Sequence, residues 1–287
     1  MHPTILAFGT PILMMSQQPT IGFIGAGNMA TAIIQGMISG GHFAPSQIAV
    51  SNRTAGKLAP LAEGGCVTTT DNRQVASISG VLFIAVKPHL YKTVLDEIKD
   101  HLHPDTVVVS MAAGLTTQWL ATHLHPDTSI VRIMPNTPAA VRTGMTAIAP
   151  NDSVTKAQLQ QVIDIMDTVG HTSFVEERLL DAFTGVAGSS PAYIYVLIDA
   201  LADAGVLHGL TKDDAIHFAA QAVKGAAEMV LSTTDHPVKL KDNVCSPGGA
   251  TVAAIASLEQ NGLRHGIIQA ASAAIVRSQE IGKQMGV

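Results

Sequence analysis

The sequence predicts two domains, an α/β domain of alternating strands and helices followed by an all-helical domain. Short apolar runs bounded by turn residues alternate with amphipathic segments over residues 21–176, which indicates a parallel sheet covered by helices. Residues 177–287 are helical in pattern and rich in alanine. Residues 1–20 match neither pattern, and we interpret them as an N-terminal extension that is dispensable to the fold and a candidate for disorder.

The first predicted strand ends in a glycine-rich turn. The apolar residues 21–24 are followed by Gly25-Ala26-Gly27-Asn28-Met29-Ala30, which is the dinucleotide-binding pattern G-x-G-x-x-A. The first glycine permits the turn, the second admits a pyrophosphate beside bare backbone, and the small third residue lets the helix pack on the strand. A helix predicted over residues 30–40 would point its N-terminal amides at the pyrophosphate. We therefore predict a Rossmann dinucleotide-binding domain, the alternative being a plain strand–helix turn.

The end of the second predicted strand, residues 47–50, bears on the choice of cofactor. It runs into Ser51-Asn52-Arg53-Thr54. NAD enzymes place an acidic residue near this point to bind the ribose 2′-hydroxyl. A cation and neutral donors suit a 2′-phosphate instead, so we predict NADPH as the cofactor, with NADH as an alternative. The other interpretation of these residues is a solvent-facing turn.

The remaining strand ends supply further candidate contacts, because open α/β sheets bind ligands at the carboxyl ends of their strands. A strand at 81–86 ends at Lys87-Pro88-His89, and a strand at 106–110 ends in small residues that a flat ring could approach. The other elements predicted are strands at 66–68, 129–134, 146–149 and 172–175 and a helix at 157–169. The predicted cofactor-binding residues are Gly25, Gly27, Asn28, Met29, Ser51, Asn52, Arg53, Val86, Lys87, Pro88, Ala112, Ala113 and Asn136.

A short repeat contains two pairs of histidines. The letters HLHPDT occur at 101–106 and again at 123–128, each between a predicted helix and a predicted strand. They indicate the same helix-to-strand turn used twice, with proline ending the helix. A metal site is the alternative, but no cysteine or carboxylate cluster accompanies the histidines. We predict no metal.

The helical half is expected to bury its helices against a second subunit. One helix is predicted over 190–207, with Ser190 as its cap and Pro191 in its first turn, and a second begins after Thr211. The polar face of the second helix is thin, and charged residues are only 14% of the 287-residue chain. Helices that are apolar on several sides need several partners. We predict a dimer formed through this half.

Composition limits the other partners. The net charge is −5 without a basic run, which argues against nucleic acid as a ligand. Apolar runs fall short of the ~18 residues of a membrane span, so no membrane association is predicted. Two cysteines cannot form a disulfide framework, which favours the cytoplasm.

A second glycine pair indicates an anion site in the helical half. In Cys245-Ser246-Pro247-Gly248-Gly249-Ala250-Thr251, Ser246 fits a helix cap and Pro247 the first helical position. Two glycines at a helix start cost up to ~1 kcal/mol each relative to alanine, which suggests that a ligand approaches the backbone. We predict a carboxylate or phosphate seat formed by Ser246, Gly248, Gly249, Ala250 and Thr251. The alternative is an ordinary capped helix.

Five motifs together resemble the 1-pyrroline-5-carboxylate reductase family. They occur in family order and are GFIGAGNMA at 22–30, VKPH at 86–89, MPNTP at 134–138, GSSPAY at 188–193 and DNVCSPGGAT at 242–251. The resemblance implies reduction of a cyclic imine to L-proline by NAD(P)H, the last step of proline synthesis. It also implies a dimer of interlocked helical domains, with further assembly into a decamer, and an active site between one subunit's nucleotide domain and its neighbour's helices.

The same resemblance implies roles for the seat residues. The substrate carboxylate would bind Ser246 and the amides of Gly248, Gly249 and Ala250, and Thr251, the one candidate catalytic residue, would hydrogen-bond the ring nitrogen. A related 3-hydroxy-acid dehydrogenase is the alternative, but it would carry a lysine on an early helix of the second domain, and residues 189–207 contain none. A non-catalytic NADP-binding regulator is a third hypothesis, and it would have no need of the carboxylate seat.

Overall fold

The computed structural model describes residues 21–286, and it confirms an α/β half followed by a helical half. The prediction for residues 1–20 lies outside the described residues. The strands are β1 (Ile21–Ile24), β2 (Ile48–Ser51), β3 (Val67–Thr69), β4 (Val81–Ile84), β5 (Val107–Ser110), β6 (Ser129–Met134), β7 (Gly144–Pro150) and β8 (Gly170–Phe174). The α-helices are α1 (Asn28–Ser39), α2 (Ala59–Glu63), α3 (Asn72–Ile78), α4 (Tyr91–Ile98), α5 (Thr117–His123), α6 (Lys156–Asp167), α7 (Leu180–Phe183), α8 (Ser190–Leu207), α9 (Lys212–Ser232), α10 (Pro237–Val244), α11 (Ala250–Gln260) and α12 (Leu263–Gln284).

All eight strands form one sheet in the order β3-β2-β1-β4-β5-β6-β7-β8. Strands β1 to β6 are parallel, β7 runs antiparallel to β6, and β8 is parallel to β7. The strand order reverses at β1, because β2 and β3 follow on one side of it and β4 to β8 follow on the other. Such a reversal opens a crevice at the carboxyl ends of the strands, and this is where doubly wound sheets bind dinucleotides.

The hydrophobic core lies on both faces of this sheet. Phe23 of β1 and Phe83 of β4 are fully buried and stack with their ring centroids 4.6 Å apart. Helices α1 and α6 contribute the apolar side chains of one face, and α3, α4 and α5 contribute those of the other. Burying one such side chain stabilises the fold by roughly 1.5–3 kcal/mol, so the strand ends at the crevice are held by a rigid support.

Several predicted boundaries are confirmed and others shift. The structure confirms the bounds of β1 and β6 and the end of α8 at Leu207 as predicted. Helix α1 begins at Asn28 rather than at residue 30. Strand β4 ends at Ile84 rather than at residue 86, because its partner β1 also ends there, with Ile24 paired to Ile84. Both copies of HLHPDT form the same turn, since the Thr106 amide donates to the His103 carbonyl at 2.9 Å and the Thr128 amide donates to that of His125 at 3.0 Å.

Two predicted helix caps are wrong. Ser190 is the first residue of α8 and not its cap, because a π-helix at Thr184–Gly188 leads into α8 without a free helix end. Ser246 and Pro247 precede α11 in a separate turn, and α11 begins at Ala250 with Gly249 as its cap. The helix therefore starts after the glycine pair, not before it.

The helical half has almost no core within one chain. Its buried apolar residues among those described are Leu180, Ala202, Ala215 and Ala219. Large side chains on α8 and α9 are exposed instead, with Val196 at 72%, Leu207 at 84% and Leu231 at 79%. Although uninterrupted apolar runs are shorter than a membrane span, the helical stretch Glu177–Leu207 is long and apolar enough to cross a membrane by length and composition alone. Apolar surface of this extent marks an interaction site.

Candidate functional site

A cleft of about 440 Å³ lies at the carboxyl ends of β1, β2 and β4. Its lining begins at Gly25-Ala26-Gly27 after β1 and passes Asn52 and Arg53 after β2. It ends against the polar side chains of α4. This is the crevice that the reversal of strand order creates. The cleft therefore brings together six of the predicted cofactor-binding residues, namely Gly25, Gly27, Asn52, Arg53, Val86 and Lys87.

The two glycines of the turn have different structural requirements. Gly25 has a φ of +107°, and a Cβ added there would lie 2.5 Å from the Ala85 carbonyl oxygen, so only glycine fits. At Gly27 the nearest atom to an added Cβ is 3.9 Å away, so packing within the chain does not require glycine. Gly27 is the cap of α1 and offers no side-chain acceptor, so the first-turn amides of α1 are not capped by a side chain. Such amides and the positive end of the helix dipole form an anion seat.

The end of β2 holds the glycine turn in place. The Gly25 amide donates to the Ser51 carbonyl at 2.8 Å, and the Ala26 amide lies 3.3 Å from Oδ1 of Asn52. The side chain of Ser51 is fully buried, and its hydroxyl donates to Oδ1 of Asn72 at 2.8 Å. The Ser51 hydroxyl therefore faces Asn72 and not the cleft, and its contact with the cofactor stays a prediction. Ser51 shapes the turn and orients Asn72.

The lining of the cleft contains three cationic side chains and one carboxylate. Arg53, Lys57 and Lys87 line the cleft, which supplies cations for a phosphate beyond the pyrophosphate position. Glu97 of α4 also lines the cleft and accepts a hydrogen bond from Nδ2 of Asn72 at 2.9 Å. Sequence reasoning missed Lys57, Asn72 and Glu97, because their side chains come from three separate helical segments. Only their positions in the fold bring them to one cleft.

The loops after β4 and β5 form the next part of the wall. Val86 and Lys87 line the cleft, whereas Pro88 begins a 3₁₀ turn beside it. The loop after β5 contains Ala112, which is 4% exposed, and Gly114, which has a φ of +77°. A Cβ on Gly114 would lie 2.8 Å from Cα of Gly282, so the loop is packed directly against α12.

Asn136 has a structural role that the sequence did not predict. Its Nδ2 donates to the Ala187 carbonyl at 3.0 Å, and its Oδ1 accepts from the Met145 amide at 2.9 Å. The side chain is buried and joins the end of β6 to the π-helix before α8. Seven predicted residues do not line the cleft itself, namely Asn28, Met29, Ser51, Pro88, Ala112, Ala113 and Asn136.

The second glycine stretch lies apart from this cleft within one chain. Gly248 has a φ of +67°, and Gly249 leaves no room for a Cβ because the Ser246 hydroxyl lies against it. The Gly249 amide donates to the Ser246 carbonyl at 3.0 Å, so it is not available to an anion as predicted. The first-turn amides of α11, from Ala250 onward, have no side-chain cap. Thr251 stands in that turn and is partly exposed.

A buried ion pair joins the two halves of the chain. Nη1 of Arg132, on β6, lies 2.9 Å from Oε1 of Glu177, and the Arg132 side chain is 5% exposed. The Thr117 amide and hydroxyl donate to the same carboxylate at 2.6 and 2.9 Å. Glu177 thus contacts the sheet and the start of α5 at once. No group of three metal-ligating side chains occurs among residues 21–286.

Comparison with known proteins gives two family matches and close relatives. Residues 177–281 match the model described as pyrroline-5-carboxylate reductase dimerisation. Residues 20–114 match the model described as NADP oxidoreductase, coenzyme F420-dependent. Pyrroline-5-carboxylate reductase of Escherichia coli K12 is 44% identical over 264 residues, which cover 92% of this chain and 98% of the relative.

Two solved structures are similar over nearly the whole length. A pyrroline-5-carboxylate reductase from Coxiella burnetii has a TM-score of 0.82 and 41% identity, and the match covers 92% of this chain and 98% of that one. A pyrroline carboxylate reductase from Plasmodium falciparum, solved with NADP bound, has a TM-score of 0.85 and 29% identity, with 93% and 99% covered.

Proposed function

The chain belongs to the pyrroline-5-carboxylate reductase family, and from that premise we propose which of its residues perform the reaction. It is an NADPH-dependent oxidoreductase that reduces the cyclic imine of 1-pyrroline-5-carboxylate to L-proline, the last step of proline biosynthesis. It forms a homo-oligomer through its helical half. The observation that carries the proposal is the cleft at the β1, β2 and β4 ends, whose lining suits NADPH along its length.

The described residues fit this cofactor. The uncapped start of α1 and the bare backbone at Gly27 suit the pyrophosphate. We propose that Arg53 and Lys57 bind the 2′-phosphate, and their position in the lining of the cleft after β2 supports this. When bound, NADPH supplies the hydride. The chain would hold NADPH through the residues at the carboxyl ends of β1, β2 and β4, and we propose that the loops after β5 and β6 would contact its nicotinamide.

The substrate seat that we propose belongs to α11 of the neighbouring subunit. Within one chain, Ser246 to Thr251 are largely exposed and do not line the cleft, so the two parts of the active site must meet across an interface. The exposed apolar faces of α8 and α9 supply that interface, and we propose that the two helical halves interlock. A second copy would bury side chains such as Val196 and Leu231, which stabilises the pair by roughly 1.5–3 kcal/mol for each large side chain covered.

The substrate seat at the start of α11 has to bind a carboxylate and a ring nitrogen. The substrate carboxylate would bind the Ser246 hydroxyl and the amides of Ala250 and Thr251, at the positive end of the α11 dipole. The Thr251 hydroxyl would hydrogen-bond the ring nitrogen and hold the imine carbon at a fixed place. An imine that is already protonated needs no strong general acid, which agrees with a seat that contains no carboxyl or lysine side chain.

We propose further that residues 21–176 form the nucleotide domain and residues 177–287 the substrate and dimerisation domain. The decamer implied by the resemblance is proposed as the assembled form. Cytoplasmic location is proposed because Cys66 and Cys245 are both free thiols. We propose no partner among nucleic acids or membranes, and the net charge of −5 supports the first of these.

The assay that tests the activity follows NADPH oxidation with 1-pyrroline-5-carboxylate. We expect turnover with this substrate, and none when a 3-hydroxy acid and NADP are supplied instead. Oxidation of the hydroxy acid without reduction of the imine would replace the proposed reaction by that of a dehydrogenase. NADPH binding with neither activity would indicate a regulator.

A further inference from the structure

Tyr91 is buried beneath the cofactor cleft and joins the ends of two strands. It is the first residue of α4, and its side chain is fully buried. Its hydroxyl donates to the carbonyl of Ile84 at 2.5 Å, and Ile84 is the last residue of β4. The same hydroxyl accepts from the amide of Met111 at 3.2 Å, and Met111 is the first residue after β5.

The hydroxyl uses its full capacity for hydrogen bonds. A phenol has one donor and two acceptor positions, and here the second acceptor position receives the Ser110 hydroxyl at 3.3 Å. Ser110 Oγ accepts in turn from the amide of Ala112 at 3.4 Å. One buried network therefore connects the carbonyl at the end of β4 to two consecutive amides of the loop after β5.

The position of this network matters because β4 and β5 are adjacent. Ile84 pairs with Ser110 in the parallel register, and beyond these residues the two chains leave the sheet. One continues into Val86 and Lys87, which line the cleft, and the other into Met111, Ala112 and Ala113. The ladder that sets the spacing of the strands stops at this point, and the Tyr91 hydroxyl takes over from it.

We propose that Tyr91 is a positioning residue, which fixes the loop after β5 against the loop after β4 so that the nicotinamide is held at the right distance from the imine. This inference rests on the proposed function, because it requires that these loops carry the cofactor. Tyr91 itself does not line the cleft. Burial raises the pKa of its phenol to about 12, so the hydroxyl stays protonated and keeps its donor at physiological pH.

The test compares Tyr91→Phe with a matched control at the amino-terminal ends of the same two strands, β4 and β5. Thr106 lies directly before β5, and its buried hydroxyl donates at 2.8 Å to the carbonyl of Ser79, which lies two residues before the start of β4. Tyr91→Phe removes three buried hydrogen bonds, one of them from a side chain to a carbonyl, and Thr106→Val removes one bond of that same kind at the opposite ends of the strands. Both variants should lower the melting temperature of the full-length enzyme.

Only Tyr91→Phe should impair turnover. A misplacement of about 1 Å can cost as much as 100-fold in rate, so we expect kcat to fall about tenfold. The Kd of NADPH, which depends on contacts along the whole cleft, should change less than about threefold. NADPH deuterated at the transferred position should give a larger isotope effect on kcat in Tyr91→Phe than in the wild type, because hydride transfer becomes slower relative to product release.

A milder variant covers the case in which Tyr91→Phe does not fold. Ser110→Ala removes only the Ala112 branch of the network and should lower kcat in the same direction by a smaller factor. Wild-type kcat and isotope effect in a folded Tyr91→Phe, or an equal loss of kcat in Thr106→Val, would overturn the positioning role. A wild-type enzyme that does not reduce the imine would instead overturn the proposed function, so the two failures are distinguishable.

Discussion

Nη1 of Arg132 and Oε1 of Glu177 lie 2.9 Å apart, and this pair joins the sheet to the first residue of the helical half. Arg132 is on β6, directly upstream of the turn that carries Asn136, so the pair also supports the edge of the proposed nicotinamide seat. Thr117 completes the set of donors to the carboxylate. Removing one partner of such a pair leaves the other charge buried without compensation.

Glu177→Ala should therefore be strongly destabilising. Breaking a buried ion pair costs about 3–5 kcal/mol, and the partial exposure of Glu177 places the expected loss at about 2–4 kcal/mol. Glu176→Ala is the control. The Glu176 carboxylate pairs with Arg178 at 2.7 Å, and both side chains are exposed, Glu176 at 67% and Arg178 at 71%. That substitution should cost no more than about 1 kcal/mol. Urea unfolding at one protein concentration would measure the stability of both variants. Equal unfolding midpoints would contradict a stabilising role for the Arg132–Glu177 pair.

Arg53→Ala should weaken the binding of NADPH much more than that of NADH. Its guanidinium lines the cleft beyond β2, where only NADPH would place a 2′-phosphate. Loss of a hydrogen bond to a charged group costs about 1.5–3 kcal/mol, which corresponds to a rise in Kd of about 10- to 100-fold. Lys57→Ala should act in the same direction. Titration of cofactor fluorescence would measure both, and equal weakening of the two cofactors would show that these residues do not recognise the phosphate.

The enzyme should be an obligate oligomer. The helical half exposes large apolar side chains and has few buried residues within one chain, so it lacks a core unless another copy covers it. Light scattering at micromolar concentration should show no monomer. A fragment that ends at residue 176 should bind NADPH but not turn over the imine. A stable, active monomer would refute the shared active site.

Thr251→Ala should lower kcat/KM while NADPH affinity stays unchanged. One lost hydrogen bond in a dry site costs about 1.5–3 kcal/mol, which is about ten- to a hundred-fold in rate. Thr251→Val keeps the shape without the hydroxyl and should behave like alanine, which separates hydrogen bonding from packing. Near wild-type kcat/KM in both variants would leave the seat to Ser246 and the backbone amides of α11.

Alkaline pH should reveal the buried phenol of Tyr91. Its pKa is about 12 in the folded chain against an ordinary value of 10.0, so the folded state favours the protonated form. Stability from this group is fully present below pH 10 and is lost as the pH rises towards 12, by roughly 3 kcal/mol in all. Tyr91→Phe cannot lose this contribution. The urea midpoints of the wild type and of Tyr91→Phe should therefore converge between pH 10 and pH 12. A constant difference between the two midpoints would argue against a raised pKa of Tyr91.

The sequence by itself determined the local elements and the chemistry of the glycine turns. The bounds of β1 and β6 follow from apolar runs, which act within a few residues of chain. Gly25 was predictable because a tight turn with positive φ requires glycine. The fold class and the reaction followed from motifs of this local kind, including the family resemblance.

Tertiary structure decided where long-range partners meet. Ser51 looked like a cofactor ligand, but folding buries its hydroxyl against Asn72, which lies 21 residues further along the chain. Lys57 and Glu97 reach the cleft only because β1 lies between β2 and β4. Tyr91 gave no signal in the sequence beyond an aromatic residue near a helix start. Its hydroxyl became informative only when the sheet brought Ile84 and Met111 together, because a hydrogen bond depends on distance and direction in space and not on separation along the chain.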